Sequence, residues 1–195
     1  NSIWFSVYIK FFRTIGIFSL YLCMEELYIY TDCSFYSKHS KIKWSSIILT
    51  DDEEFVYSKS HTLEDVRKEF NLATDHPVNQ HFGEFLAINN TLATILKIGK
   101  GLKKQGKPIK RVVIHTDSEN AFLAIHKKRK FKPHLIGLNL MSQSCRMLKE
   151  QYKQADIELE ICWIPGHAQI YGNVVANKWT KIHTLNKSEF ESALI

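Results

Sequence analysis

Hydrophobic and polar positions follow distinct patterns along the chain, and the pattern changes mark successive elements. Residues 27–31 form a short β-rich run, and residues 42–50 and 54–60 form two more. The last two flank Asp51, Asp52 and Glu53, which are typical of a hairpin turn. We therefore predict an antiparallel meander of three strands.

A helix is predicted over residues 79–100, because apolar side chains recur there at steps of three and four. They are Phe82, Phe85, Ile88, Leu92 and Ile95. Gly99 and Gly101 are expected to end this helix. Residues 61–78 between the meander and the helix carry the weakest pattern of the chain.

The second half alternates strands and helices. Residues 111–116 form a compact, largely apolar run without alternation, which favours a central strand covered on both faces. Helices are predicted over residues 118–126, 133–152, with Pro133 in the first turn, and 171–185. Residues 157–163 alternate as a half-buried strand does. The whole order indicates an α/β fold with a mixed sheet.

Residues 1–24 differ from the rest because they are largely apolar and aromatic, interrupted by Lys10 and Arg13. The uninterrupted part, residues 14–24, is shorter than the roughly 20 residues that span a bilayer, so we expect no stable membrane anchor. The segment is either a leader or sequence upstream of a start at Met24, and we favour the second. We expect one domain over residues 25–187 and a C-terminal tail over residues 188–195.

Composition narrows the class of partner. Lys and Arg number 26 against 20 Asp and Glu, a formal charge of +6, which favours acidic partners such as nucleic acid without identifying one. The four cysteines include no C-x-x-C pair, so neither a disulfide framework nor a zinc knuckle is indicated. An intracellular location is expected, in nucleus, cytoplasm or mitochondrion.

Two acids occupy matching places. Thr31-Asp32 and Thr116-Asp117 each close an apolar strand. If the two strands are parallel neighbours, the aspartates lie close together at the edge of the sheet where α/β proteins bind ligands. Such carboxylates repel each other and require a cation. Taken singly, Asp32 would be a turn residue and Asp117 a helix N-cap.

Two further features join this pair. Glu84 lies in the first turns of the long helix, where an acid alone would be explained by the helix dipole. His167 lies in the loop after the last strand, where a single histidine carries little information.

Together these features resemble type 1 ribonuclease H. The chain presents Thr-Asp-x-Ser, then a helical Glu, then Thr-Asp-Ser, then Gly-His-x(5)-Asn-x-x-Ala, over roughly residues 25–187. The interval of ten from His167 to Asn177 also matches the family. The resemblance implies an RNase H-like fold: a five-stranded mixed sheet with strands 1–3 antiparallel, strands 4 and 5 parallel to strand 1, and flanking helices.

The resemblance also implies hydrolysis of the RNA strand of RNA/DNA hybrids with two Mg²⁺ ions, for which Mn²⁺ can substitute. Asp32 would bridge the ions, Glu84 and Asp117 would help to hold one of them, and Asn177 would hold the other. His167 would assist proton transfer or product release.

The sequence departs from the family at three places. Asn177 stands where the family carries aspartate, and Cys33 stands where it carries glycine. Gln80 and His81 replace an asparagine-rich approach to the glutamate. In the family the positions of Cys33, Gln80 and His81 touch the minor groove of the hybrid. Ser34, Gln80 and His81 are predicted to bind nucleic acid.

Two basic segments are candidates for phosphate contacts. The first, Lys127, Lys128, Arg129 and Lys130, lies between two helices, and is either a grip on the hybrid or a solvated turn. The second comprises Lys103, Lys104, Lys107 and Lys110. Three hypotheses stay open: an active hydrolase, a catalytically silent domain that binds nucleic acid or a protein, and the ribonuclease H domain of a retroelement polyprotein.

Overall fold

The computed structural model describes residues 25–49, 54–166 and 168–181. The strands are β1 Glu26–Tyr36, β2 Lys41–Leu49, β3 Glu54–Thr62, β4 Arg111–Thr116 and β5 Glu158–Trp163. They form one sheet in the order β3-β2-β1-β4-β5. β1, β2 and β3 pair antiparallel, whereas β4 pairs parallel with β1 and with β5. The predicted fold class and strand directions are confirmed.

Helices cover both faces of this sheet. They are α1 Leu63–Glu69, α2 Gln80–Lys104, α3 Glu119–Ile125, α4 Ile136–Gln154 and α5 Tyr171–Lys181. The main core lies where α2 packs on the sheet and on α4, and it includes the fully buried Phe85 and Leu92. On the other face, Val175 and Ala176 of α5 pack against Ile47 of β2.

Strand β1 is longer than predicted, and Asp32 lies inside it instead of at its end. Its parallel pairing with β4 ends at Thr31 and Thr116, but its pairing with β2 continues to Tyr36. Both candidate aspartates therefore directly follow the last parallel pair. The predicted proximity holds although the predicted strand end was wrong.

The helices depart from prediction at three places. Helix α2 passes through both Gly99 and Gly101 and ends at Lys104, because tertiary packing supports the helix where glycine propensity opposes it. Helix α1 forms in the weakly patterned stretch, with the side chain of Thr62 accepting a hydrogen bond from Asp65 N. Pro133 precedes α4 by three residues instead of lying in its first turn.

Several predictions concern residues outside the described ranges: the N-terminal segment 1–24, the hairpin turn at 51–53, His167, and residues 182–195 including the predicted end of the last helix. Within the described ranges, no helix has the length and apolarity required to cross a membrane.

Candidate metal centre

Three carboxylates from separate elements converge at one edge of the sheet. Asp32, Glu84 and Asp117 each contribute an oxygen, and these oxygens lie within 4.8 Å of one another. Asp32 comes from the middle of β1, Asp117 directly follows β4, and Glu84 lies in the second turn of α2. The predicted convergence is confirmed.

The backbone and neighbouring side chains orient these groups. The amide of Cys33 donates to Oδ1 of Asp32 at 2.7 Å. Nε2 of Gln80 donates to Oε1 of Glu84 at 2.5 Å. Both aspartates follow paired residues on adjacent parallel strands, so their separation is set by the spacing of the sheet. The cluster is thus held by regular secondary structure.

Burial and mutual repulsion oppose ionisation in this cluster. Asp32 is 3% exposed and Glu84 is 7% exposed. Desolvation, followed by the charge of Asp117, raises the pKa of Asp32 to about 7. Desolvation, with the charges of Asp32 and Asp117, raises the pKa of Glu84 well above its usual value. A bound cation would favour the charged carboxylates and so lower the pKa of both Asp32 and Glu84.

The donor set fits a hard divalent cation. Oδ2 of Asp32 and Oε2 of Glu84 are buried and have no hydrogen-bond partner among the described residues. Buried carboxylate oxygens without a donor are costly unless a cation satisfies them. Oxygen donors at this spacing match the preference of Mg²⁺ and Mn²⁺.

One face of α5 presents polar groups to the carboxylates. The polar side chain of Asn177 lowers the pKa of Asp32, and so does the positive charge of Lys181. One turn earlier, Nδ2 of Asn173 donates to Oδ2 of Asp117 at 3.2 Å, and its buried Oδ1 has no partner among the described residues. Asn173 is the asparagine of the Gly-His-x(5)-Asn-x-x-Ala motif, but no role was predicted for it. Its four-residue spacing from Asn177 was the available signal.

Two of the predicted nucleic-acid contacts are engaged within the protein. Nε2 of Gln80 also donates to the carbonyl of Cys33 at 2.6 Å, and its Oε1 accepts from the amide of Phe35 at 3.0 Å. Ser34 shares a hydrogen bond of 2.7 Å with the hydroxyl of Thr180. His81 is exposed at the start of α2. Binding of nucleic acid by Ser34, Gln80 and His81 stays a prediction.

Cys33 points into the core and away from the surface. It is 3% exposed, and a Cβ placed on Gly83 would overlap its sulfur. The sulfur of Cys33 on β1 therefore occupies the space that the missing side chain of Gly83 on α2 leaves free. The expectation that residue 33 meets the substrate's minor groove was wrong for this side chain.

The basic turn Lys127, Lys128, Arg129 and Lys130 connects α3 with α4 and is exposed. None of its four side chains forms an ion pair within the described ranges. The Nζ of Lys128 lies 5.9 Å from the ring centroid of Phe122. The turn is therefore available to an acidic partner.

Comparisons with known proteins agree with this architecture. The sequence model of the RNase H family matches residues 24–184. Among solved structures, RNase H1 from the halophilic archaeon Halobacterium salinarum NRC-1 superposes with a TM-score of 0.52 at 11% identity, covering 78% of this chain and 96% of that one.

Two further structures are of LC11-RNase H1, isolated from compost by a metagenomic approach. One has a TM-score of 0.53 at 16% identity and covers 80% of this chain and 92% of that one. The other, in complex with an RNA/DNA hybrid, has a TM-score of 0.52 at 14% identity and covers 78% and 94%. At these identities the likeness establishes the fold. No curated protein matches the sequence with significance.

Proposed function

The chain belongs to the RNase H family, and on this premise we propose that it hydrolyses the RNA strand of RNA/DNA hybrids with divalent metal ions. Family membership supports a nuclease function. The observation that carries the finer proposal is the cluster of Asp32, Glu84 and Asp117, whose oxygens lie within 4.8 Å of one another. The solved complex of LC11-RNase H1 with a hybrid supports the choice of substrate.

Each residue of the centre has a proposed task. Asp32, Glu84 and Asp117 would hold two Mg²⁺ ions, with Asn177 as a neutral fourth ligand. When bound, such ions supply Lewis acidity at the scissile phosphate and a water of lowered pKa. The amide of Cys33 and the side chain of Gln80 keep one oxygen of Asp32 and Glu84 oriented, which leaves the second oxygen of each for the cation.

Substrate recognition would divide between two surfaces. The exposed basic turn 127–130 would contact backbone phosphates, which gives affinity without sequence preference. Discrimination of RNA would come from 2′-hydroxyl groups in the minor groove, read beside the carboxylates by His81 and its neighbours. His167 would move a proton or assist product release.

The test is cleavage of an end-labelled hybrid with Mg²⁺ and, separately, with Mn²⁺. We expect cut RNA, intact DNA, and no cutting of duplex DNA of the same sequence. Asp32→Asn is the matched control, because it keeps the shape and removes the most buried acid. Equal cutting by this variant would reject the carboxylate centre.

A second function is favoured by one observation, the neutral Asn177 beside Asp32. A centre with one negative charge fewer holds cations more weakly, so the domain could bind hybrid without cutting it. Hybrid binding by the native chain without cleavage under both metals would establish this silent role, and cleavage by Asn177→Asp would assign the silence to the missing charge.

A further inference from the structure

A basic pocket lies at the edge of the sheet opposite the carboxylates. Its walls come from the C-terminal part of α2 and from the connections that lead into β4 and β5. Its volume of about 680 Å³ falls within the range of sites for small molecules, roughly 300–1,000 Å³.

This pocket is remote from the candidate metal centre. Glu84 and Lys100 lie on the same helix, and their offset of 16 positions corresponds to about 24 Å at 1.5 Å per residue. Asp117 follows the end of β4, whereas the pocket lies before its start. A ligand here would not be the phosphate that is cleaved.

The pocket carries a surplus of positive charge. Four lysines and a single acid, Asp156, line it. Lys103 is paired with Asp156 at 2.7 Å, and Lys110 is paired with Glu25 at 2.6 Å. Lys100 and Lys104 form no ion pair with any residue in the described parts of the chain. These two ammonium groups are available to an anion.

Beneath the lysines the floor is apolar. Pro108, which is exposed, and Ala155, which is half-buried, contribute to it together with Ile109 and Ile157, which are 3% and 6% exposed. Gly99 allows α2 to pack closely on Ile157, since a Cβ there would lie 3.0 Å from Cδ1 of Ile157. Attraction to the helix dipole would explain lysines in the last turn of α2, but it explains neither the apolar floor nor Lys110 on another segment.

We propose that this pocket binds a nucleotide, with its phosphate on Lys100 and Lys104 and its base on the apolar floor. The combination of a cationic rim with a concave apolar base matches a ligand that carries both groups. The nucleotide is either free or the phosphorylated end of a strand. This site acts independently of the proposed hydrolysis.

Amide NMR spectra of the full chain in a metal-chelating buffer provide the test. Gly99 and Gly106 report on the pocket end, while Gly166 and Gly172 report on the carboxylate end. The ligands are adenosine 5′-monophosphate, adenosine, inorganic phosphate, and a trinucleotide with and without a 5′-phosphate. Lys100→Glu/Lys104→Glu is compared with Lys41→Glu/Lys68→Glu, which changes the net charge equally at exposed sites elsewhere.

We expect the monophosphate to shift the amide signals of Gly99 and Gly106 saturably. It should bind about tenfold more tightly than adenosine or inorganic phosphate. The Lys100→Glu/Lys104→Glu variant should bind the monophosphate about tenfold more weakly than the native chain, and the control variant less than about twofold more weakly. Binding of the 5′-phosphorylated trinucleotide identifies a strand end, and binding of the monophosphate alone identifies a free nucleotide. The proposal would be overturned if the signals of Gly99 and Gly106 did not shift, or if inorganic phosphate bound as tightly as the monophosphate. It would also be overturned if the two variants changed the affinity equally.

Discussion

Asn177 places a neutral amide against Asp32, where three carboxylates already converge. Without a cation, a fourth negative charge would add repulsion to a cluster that already resists ionisation. With a cation bound, the same charge would strengthen the centre. The neutral Asn177 therefore weakens cation binding but reduces electrostatic repulsion among the carboxylates in the metal-free protein.

We predict that Asn177→Asp raises Mg²⁺-dependent cleavage of a hybrid by about tenfold or more, equivalent to at least about 1.4 kcal/mol of barrier. The physical reason is a restored negative ligand. Mn²⁺, which is less demanding of its ligands, should raise the native rate relative to Mg²⁺. The measurement is the initial rate under both metals, with Asn177→Ala as the control that removes the amide without adding charge. Equal, robust rates for the native and aspartate forms would show that the fourth carboxylate is dispensable.

At the scale of elements, the contact between β1 and α2 depends on a matched pair, Cys33 and Gly83. We predict that Gly83→Ala lowers the free energy of unfolding by about 1–3 kcal/mol, because the new Cβ overlaps the sulfur of Cys33. In a Cys33→Ala background the same change should be neutral or stabilising by up to about 1 kcal/mol, since alanine favours a helix over glycine.

A double-mutant cycle in urea isolates this coupling. Each single variant and the pair are compared with the native chain, and the midpoint and slope are fitted separately. Additive effects would mean that α2 shifts away from β1 and relieves the overlap, which would also be expected to displace Glu84.

The basic turn between α3 and α4 supports a prediction about binding. Changing Lys127, Lys128, Arg129 and Lys130 to glutamate should weaken hybrid binding and flatten its dependence on salt, by about 0.9 in the log–log slope for each lost phosphate contact. Fluorescence anisotropy with labelled hybrid and duplex DNA measures both quantities, and the native chain should prefer the hybrid. In the matched control variant, glutamate replaces Lys38, Lys41, Lys59 and Lys68, which are exposed elsewhere on the surface. If the two quadruple variants behaved alike, the turn would be only a solvated surface.

Periodicity predicted most elements because packing and pattern agree there. It failed where tertiary contacts decide: β1 continues past Asp32 because β2 pairs with it, and α2 continues through Gly99 because the helix packs on the core. The carboxylates were predictable because each follows a recognisable apolar run or lies near the start of a helix. The contact of Asn173 with Asp117 and the orientation of the Cys33 side chain into the core were not predictable. Both depend on which face of a helix or strand packs against its neighbour.

At the scale of the whole molecule, the parallel strands separate two kinds of chemistry. Acidic oxygens collect where β1 and β4 stop pairing, and lysines collect at the opposite edge where β4 and β5 begin. The metal-free protein therefore carries unfavourable electrostatic energy at one edge, and its stability should respond to protons and cations there.

We predict that the metal-free protein loses stability as the pH rises from about 4 to about 7. The folded pKa of Asp32, about 7, exceeds its unfolded value, so over this range the native state holds a proton that the unfolded chain has released. The loss is at most about 4 kcal/mol from this group, and Glu84, whose pKa is also raised, should add to it.

Mg²⁺ should therefore raise the melting temperature more at about pH 8 than at about pH 5, because it binds the ionised carboxylates and competes with protons. Each kcal/mol corresponds to roughly 2–4 °C for a chain of this size. Thermal unfolding followed by circular dichroism, with ionic strength matched by KCl, measures the difference. Asp32→Asn should flatten the metal-free pH dependence and reduce the gain from Mg²⁺ at the higher pH. A gain that is the same at both pH values, or that persists in full in Asp32→Asn, would place the bound cation elsewhere on the protein.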